Sequence, residues 1–76
     1  MANTYATTDL SLSAFLQALG HEIVNIRNQD GRGTFVFSDT QELREDILRW
    51  GNDKPVSIRV RVFVNGMRDL KGLVGV

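Results

Sequence analysis

The sequence predicts a small α+β domain of the order helix–β-hairpin–helix–helix, with three helices packed on a two-stranded antiparallel hairpin. Three observations lead to that class. Residues 8–20 and 38–51 each join a capping residue, apolar residues at helical spacing and a closing glycine. Between them, two runs rich in β-branched and aromatic residues flank Asp30-Gly31. Beyond them, the tail from Val56 fits a helix better than a strand.

In chain order, residues 1–7 are polar and weakly patterned, so they are expected to be partly disordered or to form a short edge strand around Tyr5. Thr8 or Asp9 can cap a first helix over Leu10–Leu19, because either side-chain oxygen can accept a free backbone N–H of the first turn. Leu12, Phe15, Leu16 and Leu19 form its apolar stripe, and Gly20 stands where a left-handed residue ends a helix. His21, the sole histidine, is expected to cap that helix's negative end. A catalytic base would need an oriented nucleophile or a metal, and the sequence indicates neither.

Ile23, Val24 and Ile26 predict a strand over residues 22–27, and Thr34-Phe35-Val36-Phe37 a second, joined through the turn 28–33. Gly31-Arg32-Gly33 is not a phosphate loop, since no Lys-Ser/Thr follows and a strand comes next. The second helix, Thr40–Trp50, has the strongest local signal. Ser38…Gln41 and Asp39…Glu42 both satisfy the capping-box spacing, Leu43, Ile47, Leu48 and Trp50 form the stripe, and Gly51 ends it. Glu45 and Arg49 stand one turn apart in the favourable order, and Glu42, Glu45 and Asp46 read as solvated charge rather than metal ligands. Pro55 keeps residues 52–55 out of a helix.

The tail is decided by register. Val56, Ile58, Val60, Val62 and Val64 alternate as in a strand, but a two-residue turn at Asn65-Gly66 would pair Val62 with Asp69 and Val60 with Lys71, bringing charge onto the apolar face. Helical spacing instead gathers Val56, Val60, Phe63, Met67, Leu70 and Val74 into one stripe, with Ser57 as N-cap and Arg61, Arg68 and Lys71 on a neighbouring polar face.

Composition bounds the function. Seventy-six residues make one domain, residues 1–76, with a small core, since such chains bury only about 60% of their unfolded surface. Cysteine is absent, which removes disulfides and thiolate metal sites and shifts weight toward a twofold homodimer. No apolar run approaches the ~20 residues of a membrane span and no signal-peptide pattern opens the chain, so a cytoplasmic protein is expected. Zero net charge argues against a non-specific grip on nucleic acid. Seven of the nine cations are arginine, whose planar fork suits phosphate and carboxylate.

Taken together, Thr8-Asp9-Leu10, Ala14-Phe15-Leu16, Gly20-His21, Phe35-Val36-Phe37, Asp39-Thr40, Trp50-Gly51-Asn52 and Arg68-Asp69-Leu70-Lys71 resemble a family of small uncharacterised bacterial and phage domains. The similarity spans residues 5–74, and the valine-rich run 58–64 departs from the pattern. The matched positions are mostly apolar or capping residues, so they bear on fold. The resemblance implies an association with phages or other mobile elements.

With no nucleophile motif and no singled-out pair of carboxylates, an enzyme is not expected, and neither a metal nor another cofactor is. The leading expectation is a dimeric binding protein that sequesters an anionic, nucleotide-like small molecule at the interface between copies. Arg61, Arg68 and Lys71 would meet the anion, with Arg49 and Trp50 as second candidates. A protein–protein module using Ile58, Val62 and Val64 is the alternative, and a small nucleic-acid-binding accessory protein the third.

Overall fold

A computed structural model describes residues 3–29 and 32–74. The order is β1 (Thr4–Thr7), α1 (Leu10–Ala18), β2 (Ile23–Gln29), β3 (Arg32–Ser38), α2 (Gln41–Gly51) and α3 (Val60–Leu73). The α+β class holds, but the sheet has three strands rather than two. β1 pairs antiparallel with β3, giving the order β1-β3-β2 and placing β3 in the centre. Thr4–Thr7 is therefore an ordered edge strand. Its four residues carry too little alternation to be read as a strand alone, and β3 supplies the missing partners. Tyr5 opposite Phe37 and Thr7 opposite Phe35 turn their side chains to the core face.

β2 and β3 pair from Ile23–Phe37 to Gln29–Arg32, with a bulge at Val24. The expected turn at Asp30-Gly31 lies outside the described residues. Phe35 and Phe37 project toward the helices and join Leu12, Ala14, Phe15, Leu16, Leu43, Leu70 and Val74 in the core. The opposite sheet face carries Ala6, Asn25, Arg27, Thr34 and Ser38 around Val36. The result is a two-layer body of 34 × 33 × 18 Å.

Caps account for the helix boundaries. Asp9 Oδ1 accepts from Leu12 N at 3.0 Å, so Asp9 rather than Thr8 is the N-cap of α1. The α1 C-terminus closes with two bonds, Gly20 N to Gln17 O at 3.0 Å and His21 N to Leu16 O at 3.1 Å, with Gly20 at φ +99°. This is the Schellman arrangement. For α2, Thr40 Oγ1 accepts from Leu43 N at 3.0 Å. Neither expected capping box forms. Asp39 instead accepts a two-pronged contact from Arg44, at 2.9 and 2.8 Å.

α3 corrects the sequence reading at its start. It begins at Val60, with Arg59 at the N-cap position and no side-chain cap, so Ser57 does not cap it. Residues 56–59 lie in neither helix nor strand, with Arg59 extended, Val56 and Ile58 half-buried and Ser57 and Arg59 exposed. Strand-like alternation was thus real for four residues before helical spacing takes over. Val60, expected on the buried stripe, is 73% exposed, and the inward face runs through Phe63, Gly66, Met67, Leu70 and Val74. Gly66 lies over α1, where an added Cβ would sit 3.8 Å from Ala14 Cβ. At the far end Val74 packs on Gly33 of β3, and Asn28 Nδ2 donates to Val74 O at 2.9 Å, tying down the end of α3.

Candidate functional site

The best-formed cleft lies where α1, the end of α2 and the start of α3 meet. Phe15 supplies its floor from α1, Trp50 and Arg49 come from the last turn of α2, and Phe63 from the first turn of α3. The segment before α3 adds Val56 and Ile58, half-buried on either side of the exposed Ser57. Phe15 and Trp50 meet with ring centroids 4.9 Å apart and planes tilted by 43°. The cleft is open and holds about 250 Å³. That is below the ~300–1,000 Å³ typical of sites for drug-sized ligands and suits a single ring system.

The rim is charged, and its shape follows from how α2 stops. Gly51 is the last helical residue but not the left-handed one; that role falls to Asp53, at φ +53°. Asp53 N donates to Trp50 O at 3.2 Å and Lys54 N to Arg49 O at 3.0 Å, a second Schellman arrangement with an aspartate in place of glycine. Aspartate tolerates this region better than most side chains. The turn sets Asp53 and Lys54 beside Arg49 at the mouth of the cleft.

Arg49 is held from behind. Its Nη1 donates to Asp46 Oδ1 at 2.6 Å, while Asp46 Oδ2 meets His21 Nε2 at 2.5 Å. Asp46 is buried, only 8% exposed, and its carboxylate is divided between the two partners. The contact joins the end of α1 to the middle of α2 and fixes the position of the Arg49 guanidinium. His21 thus caps α1 through its backbone N–H, not its ring, and the ring is spent on Asp46. The expected Glu45–Arg49 pair does not form, because Asp46, three residues from Arg49, offers a buried and better-placed carboxylate.

Among the residues expected at a site, Arg49 and Trp50 are brought together here. Arg61, Arg68 and Lys71 are not; they are exposed on the outward side of α3 and do not line the cleft. Sequence reasoning missed Phe15, Asp53, Lys54, Val56, Ile58 and Phe63 as lining residues. One signal was available: Asp46 falls three residues after Leu43, on the buried stripe, where a carboxylate requires a partner. No group of three metal-ligating side chains occurs among the described residues, and no described helix is long and apolar enough to cross a membrane.

A family model described as a domain of unknown function (DUF5659) matches residues 2–76. The chain belongs to the DUF5659 family. The match covers nearly the whole chain, in keeping with the expected small uncharacterised domain, and it assigns no activity to the cleft. No curated protein and no solved structure matches this DUF5659 chain.

Proposed function

We propose that this DUF5659 domain is a small non-catalytic binding protein whose cleft takes a planar ring bearing an anionic group, as a nucleotide does. The observation that carries the reading is the aromatic floor of Phe15, Trp50 and Phe63 beneath a rim holding Arg49 and Lys54. A ring inserted there removes apolar area from water and stacks on Trp50. An attached phosphate then lies outside the floor, within reach of a guanidinium already oriented by Asp46. Asp53, the one acid of the rim, faces N–H donors of the ring rather than the anion. This reading moves the site from the boundary between two copies, where the sequence put it, into one chain. In the phage or mobile-element setting implied by the resemblance, such a domain would act in the cytoplasm by sequestering a nucleotide-type signal.

Native mass spectrometry of gently purified protein tests the proposal, followed by thermal melts with mono- and dinucleotides. Extra mass in the nucleotide range, or a rise in Tm with a subset of nucleotides, is the expected result. Bare protein with no shift across the set contradicts it.

A second reading, a protein–protein module, is favoured by one observation. β2 is an edge strand, and beside it Val24 and Leu73 are 48% and 62% exposed. An extended peptide adding to β2 would cover both. Capture of a strand-forming peptide that fails when Val24→Lys places a charge beside the edge would support it.

A further inference from the structure

The charges not used within the fold are segregated by helix. Five of the nine cations, Lys54, Arg59, Arg61, Arg68 and Lys71, lie in the last third of the chain with one acid, Asp69; eight acids and four arginines precede them. Within α2 the two arginines are occupied, Arg44 by Asp39 and Arg49 by Asp46. Its exposed Glu42 and Glu45 make no ion pair among the described residues, and beside them Leu48 is 63% exposed. On α3 the outward side gathers Val60, Arg61, Val64, Arg68 and Lys71 at helical spacing with no acid among them. Asp69 falls on the other flank, with Val62. Val60 and Val64 are 73% and 45% exposed. With Asp39, α2 thus carries four acids against two arginines, Leu48 lying exposed at the edge of the Glu42–Glu45 side, while α3 offers a basic side around Val60 and Val64.

We propose that the chain self-associates through these two faces, the outward side of α3 in one copy lying on the outward side of α2 in another. The occupant is a second copy because each face is complementary to the other in charge and both belong to the same molecule at zero net charge. In a closed twofold dimer the contact is made twice, each copy giving one α2 and one α3. Leu48 covers Val60 and Val64, and the arginines meet Glu42 and Glu45. Arg61, Arg68 and Lys71 then serve association, independently of any ligand in the cleft.

Sedimentation velocity with two charge-swapped variants tests this. In Arg61→Glu/Arg68→Glu the α3 face becomes acidic, and in Glu42→Arg/Glu45→Arg the α2 face becomes basic. All four positions are exposed, and circular dichroism verifies that each variant folds. Each variant alone should be monomeric, and an equimolar mixture should re-form a dimer, since both contacts are again of opposite charge. For the wild type, raising NaCl from about 50 mM to about 500 mM shortens the screening length roughly threefold and should weaken association at least ~10-fold. A wild type that stays monomeric at low salt overturns the proposal. So does association that ignores salt, a dimer that survives both swaps, or a mixture that stays monomeric.

Discussion

At the scale of single residues, Asp46 does more than its place in an acid-rich helix suggests. It is buried, and its two oxygens answer different elements, His21 after α1 and Arg49 toward the cleft. Removing the carboxylate leaves two polar groups without their partner, so Asp46→Ala should cost about 2–4 kcal/mol in urea unfolding. A loss below ~0.5 kcal/mol, the range of ordinary surface changes, would show that the contact holds nothing together. Two glycines make an opposed pair. At Gly33 a Cβ would sit 2.6 Å from Val74 Cβ, so Gly33→Ala must push the end of α3 off the sheet and should destabilise by about 1–3 kcal/mol. At Gly66 the same atom meets only ordinary contacts, 3.5 Å to Gln17 Oε1 and 3.8 Å to Ala14 Cβ. There helix propensity decides the sign, and Gly66→Ala should stabilise by about 0.5–1 kcal/mol. Chemical denaturation of the two variants side by side checks both.

At the scale of elements, the Asp39–Arg44 pair anchors the first turn of α2 in a pH-dependent way. The hydrogen bonds from Arg44 hold the Asp39 carboxyl below its ordinary value of 3.8, and Asp39 in turn raises the Arg44 guanidinium. A depressed folded-state value means that the unfolded chain takes up the proton first as pH falls. The stabilisation is therefore complete above the ordinary aspartate range and is lost as pH drops through 3.8 toward the lowered value. Asp39→Asn should melt below wild type at pH 6, with the difference shrinking progressively as pH falls below 3.8. A difference that persists in acid would assign the effect to packing. Helices were the most legible elements: Leu10 starts α1, Gly20 ends it, and Gln41–Gly51 follows Thr40 closely, because caps and stripes are local signals. β1 was legible only as one of two alternatives, a short edge strand around Tyr5, since Thr4–Thr7 is a strand only through β3; the start of α3 was misplaced, since residues 56–59 alternate because of what they pack against.

At the scale of the whole molecule, one helical layer on one sheet face leaves a thin body whose clefts form at the layer's margins. This explains why the site was only half legible. Arg49 and Trp50 stand out by residue type, and both reach the cleft. Phe15, Val56, Ile58 and Phe63 are apolar residues that any core could use, and only the path of the chain makes them a floor. In the proposed role, this floor and its rim of Arg49 and Lys54 accept a ring with an anionic group. Trp50 is the sole tryptophan, so its emission reports on the cleft directly. The deciding measurement is a fluorescence titration of wild type and Lys54→Glu with a panel of nucleotides. Saturable quenching of the wild type, weakened about tenfold or more in Lys54→Glu, is the predicted result, since each 1.4 kcal/mol lost is a factor of ten in affinity. Emission that stays flat with every nucleotide, or quenching that Lys54→Glu leaves unchanged, would contradict it.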